Sequence, residues 1–353
     1  MTPPELATGA ADDRQRNDHR MELVVLIVTL GAFVLRLLRL TYFNLSGDET
    51  ISATFSTEPL RSIVDALRNG EPHPPLLYVL YHLWIPVAGD SEFALRFVAV
   101  IAGTLTVPTV YTVGARFFSR TTGLVAAIVL ATNPYQLWNS QDARMYTLAS
   151  LLCLIALLAA SQAVGIGVAG ATRSKKPWSI TSESERLGLR LPWPEGVHWG
   201  WLAVYVVAMS TALYTHYYSV YEIVLLNAFA GVWLLFKRPR LLPVWIGAQA
   251  LTTALFVPWV ILAWRTITSY SGYGYSPSVA EASRRAFATF ATGYVFPQDA
   301  TGPIFWFFVL VLAAGTLLAL RRNLDASLLL LVALLAPPIG VFAASHGRPI
   351  FNE

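Results

Sequence analysis

Long apolar stretches, separated by short polar segments, are the feature that most constrains this chain. A helix that crosses the hydrocarbon core of a bilayer needs about 20 predominantly apolar residues. Stretches of about this length occupy residues 22–42, 93–114, 121–138, 146–168, 198–214, 217–236, 241–262, 303–320 and 326–344. We therefore predict an all-α polytopic membrane protein with about nine transmembrane helices, located in the cell membrane.

The composition excludes the usual soluble classes. Hydrophobic residues make up 55% of the chain and charged residues only 13%, against roughly 25% charged residues in typical soluble domains. So few charges cannot cover a soluble surface, and so apolar a chain is not disordered. The single cysteine, Cys153, leaves no intramolecular disulfide. Neither a zinc-finger spacing nor a basic and aromatic tract is present, so we expect no nucleic-acid partner.

The segment 76–87 decides the topology. It is apolar but only about 12 residues long, which is too short to span. If it lies flat on the membrane and the N-terminus is cytoplasmic, 15 of the 25 Lys and Arg residues fall in inside segments and eight in outside segments. This distribution follows the positive-inside rule, and a crossing at 76–87 would break it. We therefore predict an interfacial helix there and a long outside segment at 43–92.

The first outside segment carries three candidate site residues. Asp48 and Glu49 follow the first apolar stretch directly. Either could be a general base at the membrane surface, and the structural alternative is a solvated loop or a helix cap. His73 lies among three prolines. Its ring could face a phosphate or a metal, and the alternative is a rigid turn with an incidental histidine.

Four further candidates lie at the other predicted outer boundaries: Arg96, Asp142, Arg144 and His216. An arginine near the outer lipid surface suits an anionic phosphate group. The alternatives are a snorkelling side chain for Arg96 and a simple ion pair between Asp142 and Arg144. His216 could join a carboxylate as a metal ligand, and the alternative is a structural role.

Taken in order, several motifs resemble a known family. They are SGDET, HPPLLYVLYHLW, the run from GDSEFALRF to LATNP, and WNSQDARMYTL. This set resembles the GT-C glycosyltransferases of the protein mannosyltransferase type, and bacterial lipid A aminoarabinose transferases have a similar layout. The resemblance is strong over about residues 22–165 and weaker through THYYS and beyond.

The resemblance implies both a fold and an activity. It implies juxtamembrane helices in the first outside segment. It also implies transfer of a monosaccharide from a polyprenyl-phosphate carrier to a glycan, lipid or protein acceptor at the outer face, usually with inversion. The family's first-loop acid falls at Asp48, with Glu49 beside it, and the acid of the second outside loop falls at Asp142. A basic position falls at His73, where the aminoarabinose enzymes have a lysine.

The expected roles follow from these matches. Asp48 and Glu49 are the catalytic candidates, and His73, Arg96 and Arg144 are the candidates for binding the donor phosphate. Asp142 and His216 are candidates for positioning the acceptor or for holding a divalent metal, which not every member of the family needs. Two other functions stay open: a flippase or transporter of lipid-linked saccharides, and a non-catalytic membrane partner subunit.

The predicted organisation has four parts. Residues 1–21 form a disordered cytoplasmic tail and residues 22–168 the GT-C catalytic module. Residues 169–197 form a cytoplasmic linker, and residues 198–353 form further transmembrane helices. Similar proteins continue past a motif like RPIFNE, so we expect this chain to be truncated at its C-terminus.

Overall fold

A computed structural model describes residues 3–167, 196–269, 278–293 and 302–347. All regular structure within these ranges is helical, and they contain no β-strand. In chain order the helices are α1 Pro3–Leu37, α2 Gly47–Thr57, α3 Leu60–Asn69, α4 Leu76–Ala88, α5 Glu92–Phe117, α6 Arg120–Thr132, α7 Pro134–Ser140, α8 Tyr146–Val164, α9 Trp199–Thr215, α10 Ser219–Lys237, α11 Leu242–Leu262, α12 Trp264–Ser269, α13 Val279–Thr292, α14 Pro303–Arg322 and α15 Leu324–Gly347. The all-α fold class predicted from the sequence is confirmed.

Six helices in the described ranges are long and apolar enough to cross a membrane. They span Glu92–Phe117, Tyr146–Val164, Ser219–Lys237, Pro239–Leu262, Phe305–Arg322 and Leu324–Ala343. The three other predicted spans also coincide with helices. The first is the apolar part of α1, and the others are the shorter helices Arg120–Thr132 and Trp199–Thr215.

Two predicted spans have different bounds in the structure. The stretch 121–138 is not one helix, because α6 ends at Thr132 and α7 begins at Pro134. Asn133 caps α7 by accepting a hydrogen bond from the Gln136 amide at 2.9 Å, and a proline favours the first position of a new helix. The first span, predicted to reach residue 42, ends at Leu37, and a turn containing Arg39 at φ 58° follows it.

The N-terminal segment also differs from the prediction. Helix α1 begins at Pro3, inside the stretch for which the sequence predicts a disordered tail. Extending an existing helix costs far less than nucleating one, so the apolar part of α1 supplies the nucleus for the residues before it. The predicted linker at 169–197 lies outside the described residues except for its last two positions, so the four-part division of the chain stays a prediction.

Three short helices fill the segment between the first two apolar helices. Helix α4 has 13 residues and coincides with the predicted interfacial helix at 76–87. Helix α3 is amphipathic and buries Ile63 and Leu67. These side chains pack with Tyr78 of α4 and with Trp259 and Ala263 at the end of α11. The packing fixes the short helices on one end of the bundle.

Small residues let the central helices approach closely. The main cluster of buried side chains joins α5, α8, α9, α10 and α11, and alanines of α8 and α9 form much of it. A Cβ on Gly114 of α5 would lie 2.7 Å from the Cα of Gly123 in α6. Small residues of this kind are typical of helix interfaces in membranes, where association depends on close van der Waals contact.

Hydrogen bonds define the two ends of the bundle. The Asn323 amide, between α14 and α15, donates to the carbonyls of Phe117 at 2.9 Å and Gly167 at 2.8 Å. The far ends of α5, α8 and α14 therefore meet, and we call this the opposite end. The other end carries α2–α4, residues 141–145 and the turn 216–218, and we call it the site end.

Candidate functional site

A buried ion pair anchors the first segment of the site end. Arg96 near the start of α5 is 5% exposed and Glu49 in α2 is 3% exposed. The Arg96 Nε donates to Glu49 Oε1 at 2.8 Å and its Nη2 donates to Oε2 at 2.9 Å. This bidentate geometry is the strong form of an arginine–carboxylate pair. It ties α2 to α5 across 47 positions of sequence.

Arg96 is saturated by these and other contacts. Its Nη1 donates to the carbonyls of Leu40 and Phe43, both at 2.8 Å, and Nη2 also donates to the Asn44 carbonyl at 3.1 Å. A guanidinium has five N–H donors, and all five are used. The donor-phosphate role predicted for Arg96 would therefore require it to give up at least one of these bonds.

The local sequence explains why Glu49 points inward. Ser46 caps α2, and its hydroxyl accepts a hydrogen bond from the Glu49 amide. In return the Glu49 Oε2 accepts from the Ser46 amide at 2.8 Å, which completes a capping box. The Glu49 Oε1 also accepts from the Ala143 amide at 2.8 Å. Glu49 therefore holds three pieces of chain together.

The same contacts set the charge state of Glu49. Burial alone would raise the pKa of its carboxyl group. The hydrogen bonds from Arg96, Ser46 and Ala143, together with the charge of Arg96, outweigh burial and lower the pKa below its ordinary value. Hydrogen bonds to the ionised form stabilise it. Glu49 is thus an ionised carboxylate with its oxygens already occupied.

Asp48 is the opposite of its neighbour. Its side chain is exposed, and its carboxylate accepts no hydrogen bond and joins no ion pair among the residues that the structure describes. Only its backbone carbonyl is used, by Ser52 Oγ at 2.9 Å and by Arg144 Nη1 at 3.2 Å. Of the two adjacent carboxylates, Asp48 is the one available to a ligand.

Asp142 lies among charges of both signs. It is half-buried in the segment between α7 and α8, and no hydrogen bond to its carboxylate joins it to any described part of the chain. Burial and the nearby charge of Glu49 raise its pKa to about 6, against the opposing effect of Arg144 and Arg96, and Asp48 raises it further. Raised carboxyl pKa values are a property of functional sites.

Arg144 is buried yet only partly satisfied. Its side chain is 4% exposed. The Nη1 donates to Ser52 Oγ at 2.6 Å, and Nη2 lies 3.1 Å from His73 Nε2. Its Nε is buried and has no hydrogen-bond partner. No carboxylate forms an ion pair with Arg144 within the described ranges, which distinguishes it from Arg96.

His73 connects Arg144 to a carboxylate that the sequence analysis does not assign to the site. The His73 Nδ1 lies 2.5 Å from Glu71 Oε1, and the Tyr78 hydroxyl donates to the same oxygen at 2.8 Å. Burial would raise the pKa of Glu71, but the hydrogen bonds from His73 and Tyr78 and the charge of Arg144 lower it overall. The spacing Glu-Pro-His was a signal, since two side chains two residues apart in a rigid turn can meet.

His216 closes the site from the turn between α9 and α10. Its Nδ1 accepts from the Tyr218 amide at 3.1 Å, so Nε2 carries the proton. Burial, together with the nearby charge of Arg144, lowers its pKa to about 4. A neutral histidine therefore faces the same charged cluster. Its ring also lies 5.8 Å from that of Tyr146, centroid to centroid.

The structure thus brings all seven predicted site residues to one end of the bundle. It divides them into a saturated junction, Glu49 with Arg96, and a group that we call the open cluster: Asp48, His73, Asp142, Arg144 and His216. No three His, Cys, Asp or Glu side chains in the described ranges are arranged to hold a metal ion. The possible metal role of Asp142 and His216 stays a prediction.

Comparisons with known proteins find one matching family model and solved structures with a similar fold. The family model for dolichyl-phosphate-mannose-protein mannosyltransferases matches residues 72–174. A crystal structure of ArnT from Cupriavidus metallidurans bound to undecaprenyl phosphate has a TM-score of 0.53 and 14% identity, covering 91% of this chain and 60% of that chain. Its apo crystal structure gives 0.52 and 16%, covering 93% and 55%. A search of curated proteins gave no match.

These findings confirm the resemblance predicted from the sequence. The fold is similar to that of ArnT, with the all-α GT-C architecture. The family match includes α4 to α8. It also includes His73, just before α4, and the segment with Asp142, just before α8. The chain spans about 60% or less of the length of the two solved structures.

Proposed function

We propose that this chain is an integral-membrane glycosyltransferase that uses a polyprenyl-phosphate sugar as its donor. The observation that carries the proposal is the open cluster, in which an unpaired carboxylate lies beside an arginine with an unsatisfied donor. The fold and the family match support it. The sugar donor bears a phosphate and the acceptor bears a hydroxyl, and the open cluster offers groups that could bind both.

Asp48 is the proposed general base. Its exposed carboxylate would take the proton of the acceptor hydroxyl as the acceptor oxygen bonds to the anomeric carbon. The bond from that carbon to the phosphate oxygen then breaks, and the phosphate leaves with the electron pair. A single displacement of this kind inverts the anomeric centre. General-base catalysis of this kind contributes roughly 10²–10⁴-fold to the rate.

Arg144 and His73 are the proposed ligands of the donor phosphate. Arg144 is held in place by Ser52 and His73, so its charge is fixed before the ligand arrives. Pre-positioned donors in a partly dry site stabilise charge that develops in the transition state. The buried Nε of Arg144 has no partner and is a further donor available to the phosphate.

Glu49 and Arg96 are proposed to hold the site rather than to react. Their pair joins α2, which carries Asp48, to α5, and Glu49 also binds the amide of Ala143. This contact fixes the segment that carries Asp142 and Arg144. Asp142 and His216 are proposed to position the acceptor, because each presents a polar group to the cluster. A divalent metal remains a separate proposal that needs ligands beyond the described residues.

The outer-face location is proposed on the distribution of charge. The opposite end of the bundle carries a group of basic residues at helix ends: Arg116, Arg120, Lys237, Arg238, Arg240, Arg321 and Arg322. The positive-inside rule places that end in the cytoplasm, which puts the open cluster outside. The acceptor is accordingly an envelope glycan, lipid or protein.

The test uses the full chain in membranes with a panel of polyprenyl-phosphate sugars, each labelled in the sugar. Cell-envelope extract supplies acceptors. An enzyme should move the label from the carrier to a second fraction, and Asp48→Asn should stop the transfer. Movement of intact labelled carrier between leaflets without sugar transfer would indicate a flippase. If neither sugar transfer nor leaflet movement occurs, the chain is a non-catalytic subunit.

A further inference from the structure

Three side chains form a line that ends in the open cluster. Glu71 Oε1 contacts His73 Nδ1 at 2.5 Å, and Arg144 Nη2 contacts His73 Nε2 at 3.1 Å. Glu71 is partly buried and also accepts from Tyr78. A histidine ring is thus held at both nitrogens, by a carboxylate on one side and by a guanidinium on the other.

This arrangement fixes the proton on His73. A guanidinium can only donate hydrogen bonds, so Nε2 must present its lone pair to Arg144. Nδ1 then carries the single ring proton and donates it to the Glu71 carboxylate. The lowered pKa of Glu71 agrees with an ionised acceptor. The lone pair of Nε2 therefore faces the open cluster, where only the hydrogen bond from Arg144 occupies it.

We propose that Glu71 and His73 form a dyad that takes up one proton when the carrier phosphate binds. Arg144 Nη2 moves its hydrogen bond from His73 Nε2 to a phosphate oxygen. The freed Nε2 takes a proton from solvent and, as an imidazolium N–H, donates a hydrogen bond to a second phosphate oxygen. Glu71 stays ionised and balances the new charge on the ring. This inference rests on the proposed function and gives Glu71 the role of a positioning residue.

The groups around His73 favour this exchange. In the free site, the charge of Arg144 opposes protonation of Nε2 and the charge of Glu71 favours it. Tyr78 donates to Glu71, and His216 faces the ring from the turn between α9 and α10. A bound phosphate adds negative charge next to Nε2, so the balance shifts towards imidazolium. The shift is largest for the carrier monophosphate left after sugar transfer, because its charge is greatest.

The experiment is calorimetric titration of the full chain in detergent with undecaprenyl phosphate near pH 7.5, in two buffers of different ionisation enthalpy. The difference between the two heats counts the protons taken up. We expect wild type to take up about one proton more than His73→Gln, which keeps an acceptor for Arg144. Over the pH range of this uptake, the affinity of wild type for undecaprenyl phosphate should fall by about tenfold for each unit by which the pH rises.

Glu71→Gln removes the carboxylate and should lose most of the proton uptake on binding, whereas Glu71→Asp keeps a carboxylate and should retain the uptake. Glu58→Gln, a change at an exposed carboxylate of the same segment, should behave as wild type. Binding with equal proton uptake in wild type and His73→Gln would overturn the dyad and leave the donor class standing. Absence of any binding by folded wild type would overturn the donor class itself, and the dyad with it.

Discussion

The saturated junction and the open cluster lie side by side but are built in opposite ways. In the junction, all five donors of Arg96 and both oxygens of Glu49 are engaged. In the open cluster, the carboxylates of Asp48 and Asp142 accept no described hydrogen bond, and Arg144 keeps a buried donor without a partner. Saturated groups fix geometry, and unsatisfied groups are free to bind. The difference separates the scaffold of the site from its proposed chemistry.

The largest effect should come from Asp48→Asn. The amide keeps the size of the side chain but cannot accept the proton of the acceptor hydroxyl. Turnover should fall by at least about a hundredfold, while undecaprenyl phosphate binding and thermal unfolding stay near wild type. The measurement is transfer of labelled sugar in membranes. Near-full turnover by a folded Asp48→Asn protein would remove Asp48 from the mechanism.

Glu49→Gln should chiefly affect stability. The change leaves the buried Arg96 charge without its carboxylate, and breaking a buried pair in this way costs about 3–5 kcal/mol. Thermal unfolding in detergent should shift well below that of wild type, with Asp48→Asn as the matched control at the adjacent position. If Glu49→Gln unfolds like wild type but loses turnover, Glu49 is the base and the assignment of the two carboxylates is reversed.

Arg144→Lys should weaken binding of the carrier phosphate. A lysine keeps the charge but loses the fixed fork geometry of the guanidinium. A charged hydrogen bond is worth roughly 1.5–3 kcal/mol, so the affinity for undecaprenyl phosphate should fall by about tenfold to a hundredfold. Titration calorimetry measures this change. Wild-type affinity in Arg144→Lys would instead direct attention to Arg96, as the sequence alone also allows.

The apolar helices and the interfacial helix at 76–87 could be predicted from the sequence, because bilayer thickness and positive charge constrain them directly. The break between α6 and α7 was readable from Asn133-Pro134, a dipeptide that marks turns. The capping box was readable as Ser46 followed by Glu49 at the third position.

The sequence could not predict that Glu49 belongs to the saturated junction and Asp48 to the open cluster. Both are carboxylates at adjacent positions, and their difference depends on Arg96 and Ala143, which are 47 and 94 positions away from Glu49. No local pattern encodes such contacts. For Glu71 the local spacing indicates contact with His73, but the position of Arg144 on the far side of the His73 ring could not be predicted.

The smallest expected effect is the pH dependence of stability, whose sign differs between the saturated junction and the open cluster. The folded pKa of Glu49 is lowered, so its stabilising effect is present above the ordinary carboxyl range and is lost as the pH falls through the folded value. The folded pKa of Asp142 is raised from 3.8 to about 6, so the folded protein binds a proton there that the unfolded chain does not. Asp142 therefore favours folding increasingly as the pH falls from about 6 towards 4, by about 1–3 kcal/mol.

Asp142→Asn tests this sign, because the amide stays neutral at every pH. The variant should be more stable than wild type at pH 8, where wild type buries a charge beside Glu49, and the difference should disappear near pH 4. Thermal unfolding in detergent at pH 4, 5, 6 and 8 measures the trend, and Glu58→Gln serves as the exposed control. A variant that is less stable than wild type at pH 8, with the deficit disappearing as the pH falls, would place Asp142 with Glu49 among the paired carboxylates and remove it from the open cluster.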